Sequence, residues 1–307
     1  MKIALITPSF ERDFPLCEAL CHSLDKFNED ALEHILIVPR RDLALFRPLV
    51  RPTRRLVADG DVLPRWVQRV PAPPVIDVPF VGRKRLRTLH VTPRLHLIRG
   101  WILQQVLKCS ANTVTDADGF VFLDSDIVFV RPFKTESFVQ QDKLPLHRIE
   151  KVMLPPNPEY RSFADWDAAA RKLLGLQPAA YGGDNYVAAV VCWRRDRLVE
   201  MQRRIEAVTG KEFRAALLAE KALSEYALYG VFCDAVCDGD AGHFPQTNSL
   251  CHEDWSYDMT SNAGLEAFIN GLQPYHLSVL MQSTNDWSME RRRAVVNDIQ
   301  KAAGLPV

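Results

Sequence analysis

Gly119-Phe120-Val121-Phe122-Leu123-Asp124-Ser125-Asp126-Ile127-Val128-Phe129-Val130 is the stretch on which the reading of this chain turns. A run rich in Phe, Val and Ile, broken once by Asp-Ser-Asp, reads as two buried strands joined by a polar bend. No Gly or Asn supplies a tight hairpin turn at the break, and Arg131-Pro132-Phe133 ends the second run. Two carboxylates at the end of a buried strand do nothing for packing. With one residue between them, both can reach a single hard cation, and a cation held this way can clamp a diphosphate. The plain reading of the same residues is a solvated turn, because Asp and Ser are common turn formers. The strong strands on both sides favour the chemical reading.

Working outward, Lys2 to Thr7 reads as a buried strand turned by Pro8-Ser9-Phe10. Asp13 can then cap a helix with Cys17, Leu20, Cys21 and Leu24 on one face, and His34 to Val38 is a second strand stopped by Pro39. A strand-helix-strand start with short links predicts an α/β fold with a parallel sheet and a right-handed crossover. Such sheets bind ligands at the carboxyl ends of their strands, where Thr7, Ser9 and Arg40 lie. Gly100 to Lys108 is helical, with Trp101, Ile102, Val106 and Leu107 as apolar contacts and Gln104, Gln105 and Lys108 as polar reach. Phe163 to Leu176 is a further helix, with Trp166, Ala169, Leu173 and Leu174 as its core face. Ala188 to Trp193 is a strand, preceded by the loop Gly182-Gly183-Asp184-Asn185. Leu198 to Val208 and Phe213 to Tyr229 are amphipathic helices. Residues 51–94 are rich in Pro and Arg and read as loop or short edge strands. The Gly-rich phosphate motifs GxGxxG and GxxxxGK[ST] are absent, so phosphate binding would need a cation and loops instead.

At 307 residues the chain can form one large domain or two closely packed lobes. Its 38 basic and 38 acidic residues balance, which argues against a general nucleic-acid binder. Two local basic clusters, Arg83-Lys84-Arg85 with Arg87 and Arg51 with Arg54 and Arg55, read as solvated loops. Their functional alternative is attraction of phosphates or an anionic membrane face. No apolar segment is long enough to span a bilayer, and the polar start does not read as a signal peptide. The expectation is a cytoplasmic protein, with peripheral association at the inner membrane face left open. The seven Cys form no CxxC pair and are expected to be reduced and mostly buried.

Five segments in this order resemble a group of bacterial GT-A glycosyltransferases. They are Ile6-Thr7-Pro8-Ser9, Trp101 to Lys108 ahead of Phe122 to Asp126, Ser224 to Gly230, and Tyr275 to Ser283. The resemblance implies a GT-A, Rossmann-like, mostly parallel central sheet flanked by helices, with a C-terminal acceptor-side lobe. Residues 1–140 would form the nucleotide-sugar-binding half and residues 141–307 the acceptor-binding half of one compact domain. It implies a nucleotide-diphosphate sugar as donor, a UDP-sugar first, with Mn2+ or Mg2+. The acceptor would be a glycan or a lipid-linked precursor in bacterial surface polysaccharide synthesis. In that family's pattern Asp126 is the direct metal ligand, Asp124 leans toward the ribose or a metal-bound water, and His276 completes the metal shell. Thr7, Pro8 and Ser9 would hold the nucleobase and ribose, while Gln105, Lys108 and Ser125 would support the nucleotide side. No acid after the second strand stands out as uridine-selecting; Asp42, Asp59 and Asp61 all remain open.

Glycosyl transfer expels a diphosphate, whose charge a cation neutralises as the sugar becomes oxocarbenium-like. An inverting enzyme also needs a base for the acceptor hydroxyl. Glu225 is the first candidate and Asp184, in its Gly-rich loop, the second; their plain readings are an exposed helix acid and a turn residue. His252-Glu253-Asp254 could line the acceptor side, and Trp193, Trp255 and Trp287 could stack on sugar faces. The main rival is a haloacid-dehalogenase-like phosphatase with Asp124 as nucleophile. That motif normally opens its domain, and the later acidic motif is missing, since Gly239-Asp240 is followed by Ala-Gly-His-Phe. A nucleotidyltransferase would need a Gly-rich loop where Ile6 to Arg12 has none, and a non-catalytic nucleotide-sugar-binding module would bind without turnover.

Overall fold

The computed structural model describes residues 1–71, 76–78, 82–84, 88–91, 97–98, 100–150, 161–179, 183–237 and 241–306. In chain order its main elements begin with β1 (Ile3–Pro8), α1 (Phe14–Phe27), β2 (Glu33–Val38), β3 (Arg54–Ala58), α2 (Gly100–Lys108), β4 (Gly119–Leu123) and β5 (Ile127–Phe129). Then come β6 (Leu144–His147), α3 (Arg161–Leu174), β7 (Val190–Arg194), α4 (Arg195–Thr209), α5 (Phe213–Leu218) and α6 (Glu225–Ala235). The chain closes with β8 (His243–Gln246), β9 (Cys251–Glu253), α7 (Asn262–Asn270), β10 (Ser278–Leu280) and α8 (Met289–Ala302).

A five-stranded sheet in the order β7-β4-β1-β2-β3 organises the fold. β4, β1, β2 and β3 run parallel, and β7 joins β4 antiparallel at one edge. This is a mixed α/β architecture with a mostly parallel central sheet flanked by helices. Alternation along the strands sends side chains to two separate cores. Ala4, Ile6, Phe120 and Phe122 pack with α2 and α4 to α6, whereas Ile3, Leu5, Val121 and Leu123 pack with α1 and β5. Burial on both faces explains why these strands are continuously apolar. β5 leaves the sheet and pairs antiparallel with β10, which pairs parallel with β9.

α1 follows the predicted pattern, with Cys17, Leu20, Cys21 and Leu24 buried, although the Asp13 side chain makes no capping bond. The cysteines are all free, and only Cys237 is not buried. The stretch read as one helix from Phe213 to Tyr229 is two helices. Ser224 accepts a hydrogen bond from the Ala227 amide and starts α6 afresh, so Glu225 and Tyr226 lie in a first turn. Mid-helix, Gly230 must be glycine: a Cβ there would come within 2.1 Å of the Tyr186 ring. Arg54 is not in a solvated loop. It is 3% exposed on β3 and donates to Asp25, His34 and the carbonyls of Cys21 and Leu49. Arg85 and Arg87 of the other basic cluster lie outside the described residues, as does Gly182.

Candidate active site at the strand switch point

From β1 the chain steps outward through β2 and β3, then returns to place β4 on the other side of β1. The strand order therefore reverses between β1 and β4. In such sheets a crevice opens at the carboxyl ends of these strands. Ser9 follows β1 and Ser125 follows β4, and their hydroxyls meet at 2.9 Å in a buried contact. The Asp-Ser-Asp bend is thus fixed at the crevice.

Asp124 points toward α2. Its carboxylate accepts from Lys108 Nζ at 3.0 Å and, more weakly, from Gln104 Nε2 at 3.5 Å. Lys108 is 2% exposed and also contacts the Glu225 carboxylate at 3.0 Å and the Tyr226 hydroxyl at 2.6 Å. Burial works against its ammonium, yet Asp124, Tyr226 and Glu225 together hold its pKa well above the ordinary lysine value. Lys108 is therefore a permanent buried cation shared between two carboxylates.

Asp126 makes no ion pair among the described residues, and Arg292 acts on it only from a distance. Its carboxylate accepts from the Ser283 amide at 2.8 Å. Burial first, then Asp124 and Asp13, push its pKa up to about 6 despite that bond. Asp13 is itself raised by burial and by Asp124, with Arg12 opposing. The segment that offers the Ser283 amide is tied down from two sides. Asp254 accepts from the Gln282 amide at 2.9 Å and from Asn285 Nδ2 at 2.7 Å. Arg292 donates to the carbonyls of Met281, Gln282 and Asn285.

The expected site residues divide clearly. Ser9, Lys108, Asp124, Ser125 and Asp126 come together. Thr7 does not join them: it is fully buried, with its hydroxyl 3.0 Å from His34 Nε2 between β1 and β2. Pro8 is buried at the end of β1. Gln105 is 1% exposed, and its amide makes no hydrogen bond among the described residues. Glu225 is 5% exposed and serves as counter-ion to Lys108, so it faces inward and not toward an incoming hydroxyl. Asp184 lies beside Asp167 of α3, whose carboxyl burial raises and Asp184 raises further. The structure does not bring His276 to the acids. The β5–β10 register sets Met281 beside Asp126 and His276 beside Arg131, five residues away or roughly 17 Å. His276 instead accepts from the Gln273 amide and packs against His252, and burial lowers its pKa to about 4. Trp193 is a core residue stacked on Tyr229 at 4.5 Å, while Trp255 and Trp101 are exposed.

Tyr226, Asp13 and Arg292 were not singled out for the site, and Asp254 only within a cluster that could line the acceptor side. Asp13 and Tyr226 carried a signal: an acid just past the first strand, and a tyrosine in a helix begun by Ser224. Among the described residues no three His, Cys, Asp or Glu side chains gather to hold a metal ion alone. The pair fits a different kind of cation site. Mg2+ and similar ions are commonly held by one or two carboxylates and complete their shell with substrate phosphates and water. Burial first, then Asp124 and Asp13, raise the pKa of Asp126, and a cation bound there would favour its ionised form.

A model of a family of unknown function, DUF6492, matches residues 1–292. The chain belongs to that family. No curated protein matches it. Among solved structures, this DUF6492 chain is similar to WbbM, a bifunctional glycosyltransferase in its apo form. The TM-score is 0.51 at 11% identity, over 99% of this chain and 50% of that one. The galactosyltransferase LgtC, in complex with donor and acceptor sugar analogues, gives 0.46 at 11% identity, over 99% and 96%. The apo glycosyltransferase GlyE of Streptococcus pneumoniae TIGR4 gives 0.47 at 12%, over 97% and 60%. The chain thus spans about half the length of WbbM. At these identities the likeness is one of fold, and the WbbM match alone supports it.

Proposed function

We propose that this DUF6492 protein is a metal-dependent glycosyltransferase that moves a sugar from a nucleotide-diphosphate donor, a UDP-sugar first, to a glycan or lipid-linked acceptor. The observation that carries the reading is the Asp124-Ser125-Asp126 bend at the switch point, with Asp124 matched by Lys108 and Asp126 buried beside further acids. A GT-A-like fold supports it. Asp126, with Asp124, would hold a Mn2+ or Mg2+ ion that neutralises the departing diphosphate. Lys108 keeps Asp124 ionised and aimed, with Glu225 and Tyr226 holding the ammonium in place. Ser9 fixes the bend through Ser125 and lies where the nucleoside would enter. Ser283 positions Asp126 from the second half of the chain. Residues 1–140 would thus carry most of the donor contacts and residues 141–307 the acceptor side, in surface polysaccharide synthesis by analogy alone.

The test is a panel of UDP- and GDP-sugars incubated with the protein and Mn2+, read as release of nucleoside diphosphate. Slow donor hydrolysis that stops on adding EDTA supports the proposal. Phosphate release from simple phosphate esters, or metal-dependent donor binding with no hydrolysis and no transfer, would overturn it.

A further inference from the structure

Trp101 was expected to be an apolar contact of its helix, yet it is 43% exposed. Single exposed apolar residues are common on protein surfaces, so exposure alone assigns it no task. Its position along α2 is specific. Residues three, four and seven apart share one helical face, so Trp101 stands in line with Gln104 and Lys108, the two side chains that reach Asp124. Seven residues place it roughly 10 Å along the helix from Lys108. A diphosphate held at Asp124 and the sugar attached to it would together fill most of that distance, which leaves Trp101 for the next ring along, that of the acceptor. The indole is not loose. Its ring centroid is 6.0 Å from that of Trp166 on α3, which Phe163 backs at 5.0 Å, and both neighbours are half-buried. The two indoles meet at a tilt of 42°, so Trp166 steadies a ring that keeps 43% of its residue's surface exposed.

We infer that Trp101, held by Trp166, is the platform on which a pyranose ring of the acceptor stacks. The apolar C–H face of a hexopyranose matches an indole in shape, and its hydroxyls stay in water. This inference rests on the glycosyltransferase reading and names the acceptor class as one that presents a hexopyranose at its growing end. Glu225 and Tyr226 lie at the Lys108 end of the same stripe, so the acceptor would lie along α2 between the aromatic pair and the acid bend.

The experiment titrates methyl β-D-galactopyranoside and methyl β-D-glucopyranoside into the protein with UDP and Mn2+, followed by tryptophan fluorescence and by saturation-transfer NMR. Binding with saturation concentrated on the ring C–H protons of one face is expected for at least one of the two glycosides. Trp101→Ala should weaken it about tenfold and Trp101→Phe by less, because a smaller ring keeps part of the contact. UDP affinity should change less than glycoside affinity. No binding of either glycoside, or binding that Trp101→Ala leaves intact, would overturn the platform. So would equal losses of UDP and glycoside binding, which would assign the ring to the donor. Donor hydrolysis by the unaltered protein is measured separately. If it fails while the glycoside result holds, the catalytic reading falls and the sugar platform stands.

Discussion

At the amino end of the central sheet, a cavity of about 630 Å3 is lined by Met1, Asp118, Arg194, Asp196 and Glu200. Its charges are matched: Arg194 pairs with Asp196 at 3.0 Å, and Arg197 reaches Glu200 at 2.6 Å. At the carboxyl end, Asp126 lines a smaller cavity of about 250 Å3 together with Lys26, Arg292 and Arg293, and Asp13 and Asp124 act on it from outside that cavity. The contrast teaches that space does not single out the end proposed as functional. A buried acid crowded by other acids does, because keeping acids together costs stability that a neutral packing would not lose.

The harshest way to break this comparison is to remove an acid. Asp126→Ala should lower donor hydrolysis by at least about a thousandfold while circular dichroism reports an intact fold. Substantial residual activity in a folded Asp126→Ala protein would remove the carboxyl end from the chemistry. Lys108→Met strips the shared cation from two carboxylates and should cost about 3–5 kcal/mol in urea unfolding. Adding Glu225→Gln to it should recover part of that loss, and no recovery would mean that the three groups are not coupled.

A third test concerns pH. The folded pKa of Asp126, about 6, lies above its ordinary value of 3.8. The stability from this group is therefore present below about pH 4 and is lost as pH rises through 6. In EDTA, Asp126→Asn should be more stable than the unaltered protein by about 3 kcal/mol at pH 8 and by nothing near pH 4. An advantage that did not grow with pH would contradict the charge crowding. The smallest effect belongs to the amino end. Glu200→Gln should cost no more than about 0.5 kcal/mol and leave donor hydrolysis unchanged.

Much of this was legible from local patterns. β1, α1, β2 and the acid bend follow from apolar runs, and the bend's placement follows from the parallel start. What sequence could not supply was register. His276 and Met281 are neighbours in one segment, and only the pairing of β5 with β10 decides which faces Asp126. Arg54 was opaque for a related reason: a Pro- and Arg-rich context hides a buried guanidinium whose partners come from β2, α1 and the turn before β3. The split between α5 and α6 was readable in principle, because Ser224 carries the side chain that starts a helix. The apolar run around it masked that signal.

Arg292 gives the last helix a task beyond packing. One buried guanidinium holds three carbonyls of the segment that meets Asp126. Loss of α8 would therefore release that segment and at the same time strip Val295, Val296 and Ile299 from the core they share with Phe268 and Met281.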